Sequence, residues 1–233
     1  MSFLNVISIY FFLPETHTHR RFDLKIDWTK SVHNIIKAYS MKDSRVIFTT
    51  IFLYTGGFTF FTTFFSLFLI HKFSFRQSNI GDFFAYVGLW VAFAQAFVTR
   101  QMAKRFKEYE IVRITIFGTA LFILLYFVPT VWWQLLLVVP FFAICNGLTF
   151  ANITALISRS VEPSVQGEIL GINASVQALS QAIPALLSGY IAAKLSPDSP
   201  LIVSSLTIAF AGFLFLLLFK PKPSPLHVPQ EKL

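Results

Sequence analysis

Long, uninterrupted apolar runs constrain this chain more than any other feature of its sequence. A helix needs roughly 20 apolar residues to cross a hydrocarbon core about 30 Å thick. Six runs of about that length occur, at residues 46–70, 82–99, 111–128, 131–157, 168–193 and 201–219. Because 55% of the residues are hydrophobic and the mean hydropathy is +0.65, we expect an all-α integral membrane protein whose six-helix transmembrane domain covers residues 46–219.

The rest of the chain divides into three shorter parts. Residues 1–14 are apolar but too short for a full span, and they are interpreted as the end of a truncated transmembrane helix. Residues 15–45 are predicted to form a cytoplasmic amphipathic linker, because Trp28, Val32 and Tyr39 recur at helical spacing among lysines. Such a helix either lies on an anionic leaflet or packs on its own protein. Residues 220–233 form a polar tail.

The basic residues predict the orientation in the membrane. Sixteen of the 19 Lys and Arg residues fall on the side that holds the linker, the 100–113 loop and the tail, and three fall on the other side. Basic loops favour the cytoplasmic side. We therefore expect a multi-pass protein of the plasma or inner membrane with a cytoplasmic linker and C-terminus. The net charge of +8 follows the membrane topology and does not indicate a nucleic-acid partner.

Signatures of enzymes and of metal sites do not occur in the sequence. It contains no HExxH, GxSxG or phosphate-loop motif and no Cys/His cluster at metal-ligand spacing. His17 and His19 form an isolated pair in a charged loop, which does not predict a metal site. The sequence therefore predicts a protein that is not an enzyme and that carries no cofactor or metal.

Polar residues follow one face of the fifth span. At 100° per residue, Asn173, Gln177, Gln181 and Pro184 share one arc. Small residues from Gly171 to Gly189 fill a second arc suited to helix contact, and aliphatic residues fill a third arc suited to lipid. An unpaired amide in hydrocarbon costs several kcal/mol, so these amides either line a cavity, which we favour, or bond to another helix.

Three other spans carry polar residues of the same kind. Thr55, Thr59 and Thr62 share one arc of the first span, where threonines either line a cavity or bond to their own helix carbonyls. The fourth span contributes Asn146 and Asn152, and the second contributes Gln95. Together with the fifth-span amides, these residues form the predicted substrate cavity.

Three stretches of the sequence resemble the C-terminal half of a major facilitator superfamily transporter, most like the drug:proton antiporter branch. FFLPETHTHRR is similar to the end of that family's sixth helix, and VTRQMAKRFKEYEIVR is similar to its basic loop between the eighth and ninth helices. SRSVEPSVQGEILGINASVQALSQAIPALLSG resembles the family's eleventh helix and the loop before it. The resemblance covers nearly the whole chain.

The resemblance implies a function and a partner. It implies proton-coupled alternating access that moves small organic molecules, with efflux of drug-like or amphipathic substrates, and it places the cavity between two six-helix halves. Conformational roles are expected for Arg105, Gly171, Pro184 and Gly189. The expected partners are a small-molecule substrate, membrane lipid, and either the missing N-terminal half or a second copy of this chain. A homodimeric half-transporter and a non-transporting fragment or scaffold are the alternatives.

Overall fold

Six helices make up the part of the chain that the computed structural model describes, residues 42–161, 166–194, 196 and 198–220. No strand occurs among these residues. The predicted truncated helix at 1–14, most of the predicted linker and all but the first residue of the tail lie outside them. The helices are α1 (Lys42–Phe73), α2 (Gln77–Ala103), α3 (Glu108–Leu125), α4 (Trp132–Arg159), α5 (Gln166–Lys194) and α6 (Ser199–Leu218).

Each of these helices coincides with one of the six apolar runs, which confirms an all-helical membrane bundle. Five of them, all except α3, are long and apolar enough to cross a membrane. The 18 residues of α3 include Glu108, Glu110 and Arg113, which all lie within its first two turns. Its remaining residues are apolar except for Thr115 and Thr119, so a sixth crossing by α3 stays a prediction.

The bundle is organised around α1 and α4. Helix α1 packs mainly against α5 and α6, whereas α4 packs mainly against α3 and contacts α2 and α5 as well. Glycines permit the close approaches. A Cβ added to Gly57 would lie 2.8 Å from Ile208 Cγ1 on α6, and one added to Gly118 would lie 2.7 Å from Cys145 Sγ on α4. These distances are shorter than van der Waals contact, so the helix spacing depends on glycine there.

Aromatic side chains are seven of the 16 buried residues in the larger of the two buried clusters. The Phe61 ring lies 4.4 Å from Phe65 and 5.1 Å from Phe142, measured between centroids, and Tyr126 packs on Phe65 at 4.9 Å. These contacts join α1 to α4 and to the turn after α3. The high phenylalanine content of the chain therefore supplies much of its interior packing.

Polar contacts join α3 to its neighbours at both ends. At one end the Lys72 ammonium donates to the carbonyl of Phe127 just beyond α3, and it lies 5.5 Å from the Phe73 ring centroid. At the other end Arg113 Nη2 donates to the Phe219 carbonyl at 3.3 Å. Near that end the carboxylate of Glu108 forms an ion pair with the guanidinium of Arg159 on α4.

The turn between α1 and α2 contains a residue in the left-handed region. Ser74 has φ 53°, its N–H donates to Ile70 O at 2.9 Å, and the N–H of Phe75 donates to Leu69 O at 3.4 Å. The bond from Ser74 to Ile70 is that of the αL motif, in which glycine usually occupies the position of Ser74. The turn consequently directs Phe75 back toward Phe73, whose ring centroid is 6.2 Å away.

Candidate functional site

A face of α5 that differs from the predicted one packs inside the bundle. Ile169, Ile172, Asn173, Val176, Ser180, Pro184 and Ser188 are buried. Their spacing of three or four residues is that of one helix face. Gln177 is half-buried at the edge of this face, and Gln181 is exposed beyond it. The predicted amide arc is therefore divided, with Asn173 inside the bundle and Gln181 on its surface.

The small-residue face of α5 is uncovered, and its aliphatic face differs from the prediction. Gly171 and Gly189 have no atom within 4 Å of an added Cβ, and the alanines between them are exposed. This face makes no close helix contact within the described residues, so its role in helix contact stays a prediction. Ile172 and Val176 pack in a buried cluster instead of forming part of an outer aliphatic face. Helices in lipid lack a hydrophobic driving force toward each other, so side-chain size alone did not identify the buried face.

Pro184 lies at the contact between α5 and α1. A proline has no N–H, so the carbonyl of Ser180 four residues earlier loses its helical donor. That carbonyl oxygen lies 3.3 Å from the position of a Cβ added to Gly56, and Pro184 Cγ lies 3.8 Å from it. The glycine thus lets α1 approach the segment of α5 in which the proline interrupts the hydrogen bonding. A conformational role for Pro184 stays a prediction.

The threonines of α1 use their own helix for hydrogen bonding. Thr59 Oγ1 donates to Thr55 O at 2.8 Å, and the hydroxyls of Thr62 and Thr63 donate to Thr59 O at 3.2 and 2.8 Å. Thr59 is half-buried, whereas Thr62 and Thr63 are exposed. The hydroxyl of Thr55 is buried with no partner among the described residues. Back-bonding satisfies the donors but leaves the oxygen lone pairs of exposed threonines accessible.

The asparagines of α4 have different surroundings. Asn146 is half-buried, and its Oδ1 accepts a hydrogen bond from the Tyr54 hydroxyl of α1 at 2.7 Å. Asn152 is buried, and its Nδ2 donates to Leu148 O in its own helix at 2.8 Å. One helical turn from Asn146, the hydroxyls of Thr149 and Thr115 lie 2.8 Å apart. Helical spacing could not identify Tyr54 as the partner of Asn146, because only the packing of α1 on α4 brings the two together.

Gln95 lies in a short π-helical segment of α2. The segment covers Ala94–Val98, and the hydroxyl of Thr99 donates to Ala94 O at 3.1 Å, five residues back. Ala94 is buried, with its Cβ 4.0 Å from a Cβ added to Gly147 of α4, whereas Gln95 is exposed. Such segments occur frequently at functional sites. Within this segment the buried Ala94 lies at the contact with α4, and the Gln95 side chain is exposed.

Arg105 lies in the basic loop between α2 and α3. Its backbone N–H donates to Met102 O at 3.0 Å, and its side chain is exposed. The structure gives its guanidinium no partner among the described residues. A gating role for Arg105 therefore stays a prediction, as do those for Gly171 and Gly189.

Comparison with known families classifies this bundle of apolar helices. A family model described as Major Facilitator Superfamily matches residues 2–232. The chain belongs to the Major Facilitator Superfamily. The family is one of transporters, which assigns this member to membrane transport in general terms. A search of curated proteins finds no match to the chain.

In this member of the Major Facilitator Superfamily, the helices that carry the predicted cavity residues are neighbours. Helix α4 contacts α1, α2 and α5, which are the three other helices with predicted cavity residues. Among those residues, Gln95, Thr62 and Gln181 are exposed, whereas Thr55, Asn152 and Asn173 are buried. The accessible part of the candidate site is thus made mainly of neutral amides and hydroxyls.

Proposed function

We propose that this chain is part of a transporter that moves small amphipathic organic molecules by alternating access. The exposed amides of Gln95 and Gln181, together with that of half-buried Gln177, are the observation on which this proposal rests. Amides within apolar spans require a polar partner, because hydrocarbon cannot satisfy their hydrogen bonds. A substrate cavity that holds water or a polar ligand supplies that partner.

The uncovered helices support a second body packed on this bundle. Only 17% of the apolar window of α2 is buried, compared with 50% for α1. The small residues of α5 are exposed as well, and such residues are typical of close contact between membrane helices. In the proposal, a second six-helix half covers these surfaces and closes the cavity. That half is either an N-terminal half or a second copy of this chain.

The substrate class follows from the chemistry of the exposed side chains. Phenylalanines and neutral amides suit an apolar or weakly cationic molecule, whereas a sugar would require more hydrogen-bonding groups. The described cations lie at helix ends and in loops, where they do not favour an anion deep in the bundle. Proton coupling and outward transport complete the proposal, and they are supported by the similarity of the sequence to drug:proton antiporters.

Replacement of two amides tests the cavity. Gln177→Leu combined with Gln181→Leu is expected to reduce substrate-dependent transport at least tenfold. Each change replaces an amide with an apolar side chain of similar size, so the hydrogen bonds to the substrate are lost. The measurement is uptake of a fluorescent amphipathic cation, such as rhodamine 6G, by everted vesicles that contain the intact transporter. Gln101→Leu is the matched control, because Gln101 is an exposed amide near the end of α2.

Two results would overturn parts of the proposal. Unchanged uptake in the double variant, at equal amounts of protein in the membrane, rejects the cavity assignment. Absence of proton-dependent uptake of any of a panel of amphipathic amines by the unmodified transporter rejects the function itself.

A crosslinking experiment identifies the partner half. Ala178 is exposed on the small-residue face of α5. If two copies of the chain pack through this face, Ala178→Cys in a Cys145→Ala background is expected to form a disulfide-linked dimer in membranes. A homodimer is supported if Ala178→Cys forms the dimer and Leu206→Cys, at an exposed position of α6, does not. Monomer only, at native expression, rejects the second copy and favours an N-terminal half.

A further inference from the structure

An aromatic pocket of about 500 Å³ lies at the end of the bundle where α1 turns into α2 and α4 begins. Five aromatic side chains line it, namely Phe73, Phe75, Phe83, Tyr86 and Trp132. Its volume lies within the range of small-molecule sites, which are mostly apolar with a few polar groups. The pocket is separate from the amides of the proposed substrate cavity, and none of those amides lines it.

One face of α2 brings the polar groups into this pocket. Asn79, Asp82, Phe83 and Tyr86 are spaced at three and four residues, so they lie on the same side of the helix. Asp82 is exposed, and it makes no ion pair among the described residues. The pocket thus combines a free carboxylate with aromatic rings.

Two hydrogen bonds and one turn fix the shape of the pocket. The Tyr86 hydroxyl donates to Leu136 O of α4 at 3.2 Å, which holds α2 against α4. Asn79 Oδ1 accepts a hydrogen bond from the backbone N–H of Arg76 at 3.1 Å, which holds the Asn79 amide in place. The left-handed turn at Ser74 places Phe75 so that its ring centroid lies 6.3 Å from that of Phe83.

The charges near the pocket favour a cationic ligand. Aromatic faces carry negative potential, and a carboxylate adds a full negative charge. The positive end of the α2 dipole is equivalent to about half a charge and acts within the first turn, whereas Asp82 lies beyond that turn. The Lys72 ammonium is already bonded to Phe127 O, and neither Lys72 nor Arg76 lines the pocket.

Phe73 shows that these rings accept a cation. The Lys72 ammonium lies 5.5 Å from the Phe73 centroid and 5.5 Å from that of Phe68. Distances below about 6 Å are those of cation–π contacts. The aromatic cluster next to the pocket therefore already stabilises one ammonium group.

We propose that this pocket binds an alkylammonium cation, with its positive group over the aromatic rings and Asp82 as the counter-charge. The ammonium group is supplied either by a free organic cation or by the choline or ethanolamine headgroup of a lipid. The proposal does not depend on the proposed transport function, because binding is measured without transport.

Binding of radiolabelled phenyltrimethylammonium to the full chain in nanodiscs of phosphatidylglycerol tests the site. Saturable binding is expected, with a dissociation constant raised about tenfold by Asp82→Asn, since a partly exposed charge pair contributes about that much. Phe75→Leu is expected to weaken binding as well. Glu168→Gln, which removes an exposed carboxylate from the start of α5, is the matched control and is expected to have no effect.

Further measurements separate the two ligand sources and the ways in which the proposal fails. Loss of probe binding when phosphatidylcholine replaces phosphatidylglycerol identifies the lipid headgroup, and unchanged binding identifies a free cation. Equal competition by the neutral isostere tert-butylbenzene would show that charge is not recognised, which overturns the proposal. Unsaturable binding, or equal affinity in Asp82→Asn and the unmodified chain, also overturns it. Because the probe also belongs to the class proposed for the substrate cavity, binding is measured in the Gln177→Leu, Gln181→Leu background as well, where saturable binding that Asp82→Asn weakens must persist.

Discussion

The hydroxyl of Tyr86 on α2 donates a hydrogen bond to the main-chain carbonyl of Leu136 on α4, with 3.2 Å between the oxygens. In a regular helix that carbonyl accepts from the N–H four residues later, but residue 140 is proline, which has none. The side chain of a neighbouring helix therefore supplies the donor that Pro140 removes. Freed carbonyls in membrane helices are often satisfied in this way.

This relationship predicts a dependence between the two residues. Tyr86→Phe is expected to destabilise the bundle by about 0.5–1.5 kcal/mol, because it leaves the Leu136 carbonyl without a donor. In a Pro140→Ala background the same change is expected to cost much less, since the alanine N–H restores the helical bond. Thermal unfolding of the four variants in detergent measures the coupling. Equal costs in the two backgrounds would contradict the prediction.

Glycines inside the helices are expected to differ strongly in their tolerance of alanine. Gly118→Ala places a Cβ 2.7 Å from Cys145 Sγ and is expected to cost about 1–3 kcal/mol. Cys145→Ala removes that sulfur and is expected to restore most of the loss. Gly88 has open space around it, so Gly88→Ala is expected to be neutral or to stabilise by up to about 1 kcal/mol. Unfolding midpoints in detergent check the order of the variants.

Ser74 is expected to be replaceable by glycine with a gain in stability. The left-handed conformation costs a residue with a Cβ about 1–2 kcal/mol, and glycine avoids that cost. Ser74→Gly should therefore raise the unfolding temperature, whereas Ser74→Val should lower it because β-branching makes the same backbone less accessible. A lower midpoint for the glycine variant, measured by thermal shift, would be inconsistent with the left-handed turn.

Two cations that join helices are expected to differ in their contribution to stability. Lys72→Met removes a charged donor from Phe127 O and a cation from three rings, and it is expected to cost about 1.5–3 kcal/mol. The side chain of Arg159 is 71% exposed in its pair with Glu108, so Arg159→Gln is expected to cost at most about 1 kcal/mol. Only the stability cost of Arg159→Gln should diminish in high salt, because exposed charges are screened. Unfolding at low and high ionic strength distinguishes them.

The sequence by itself determined the helices of the described region and the kind of protein they form. Hydrocarbon cannot satisfy free backbone groups, so a long apolar run has few alternatives to a helix, and the six observed helices coincide with the six runs. The polar positions of the spans were likewise readable from helical spacing. Pro140 could have been used to locate a free carbonyl at Leu136, although the sequence could not identify Tyr86 as its donor.

Only the tertiary structure decided which faces meet. On α5 the buried face joins Ile172 and Val176 to Asn173, and the row of small residues is left exposed. In lipid, an apolar face gains little by turning inward, and contact depends on shape and on paired polar groups. The partners of Asn146 and Leu136, the close approach at Gly118 and the aromatic pocket beside Asp82 all involve residues far apart in the chain. Periodicity along one helix carries no information about such pairs, because the neighbouring helix supplies the second member.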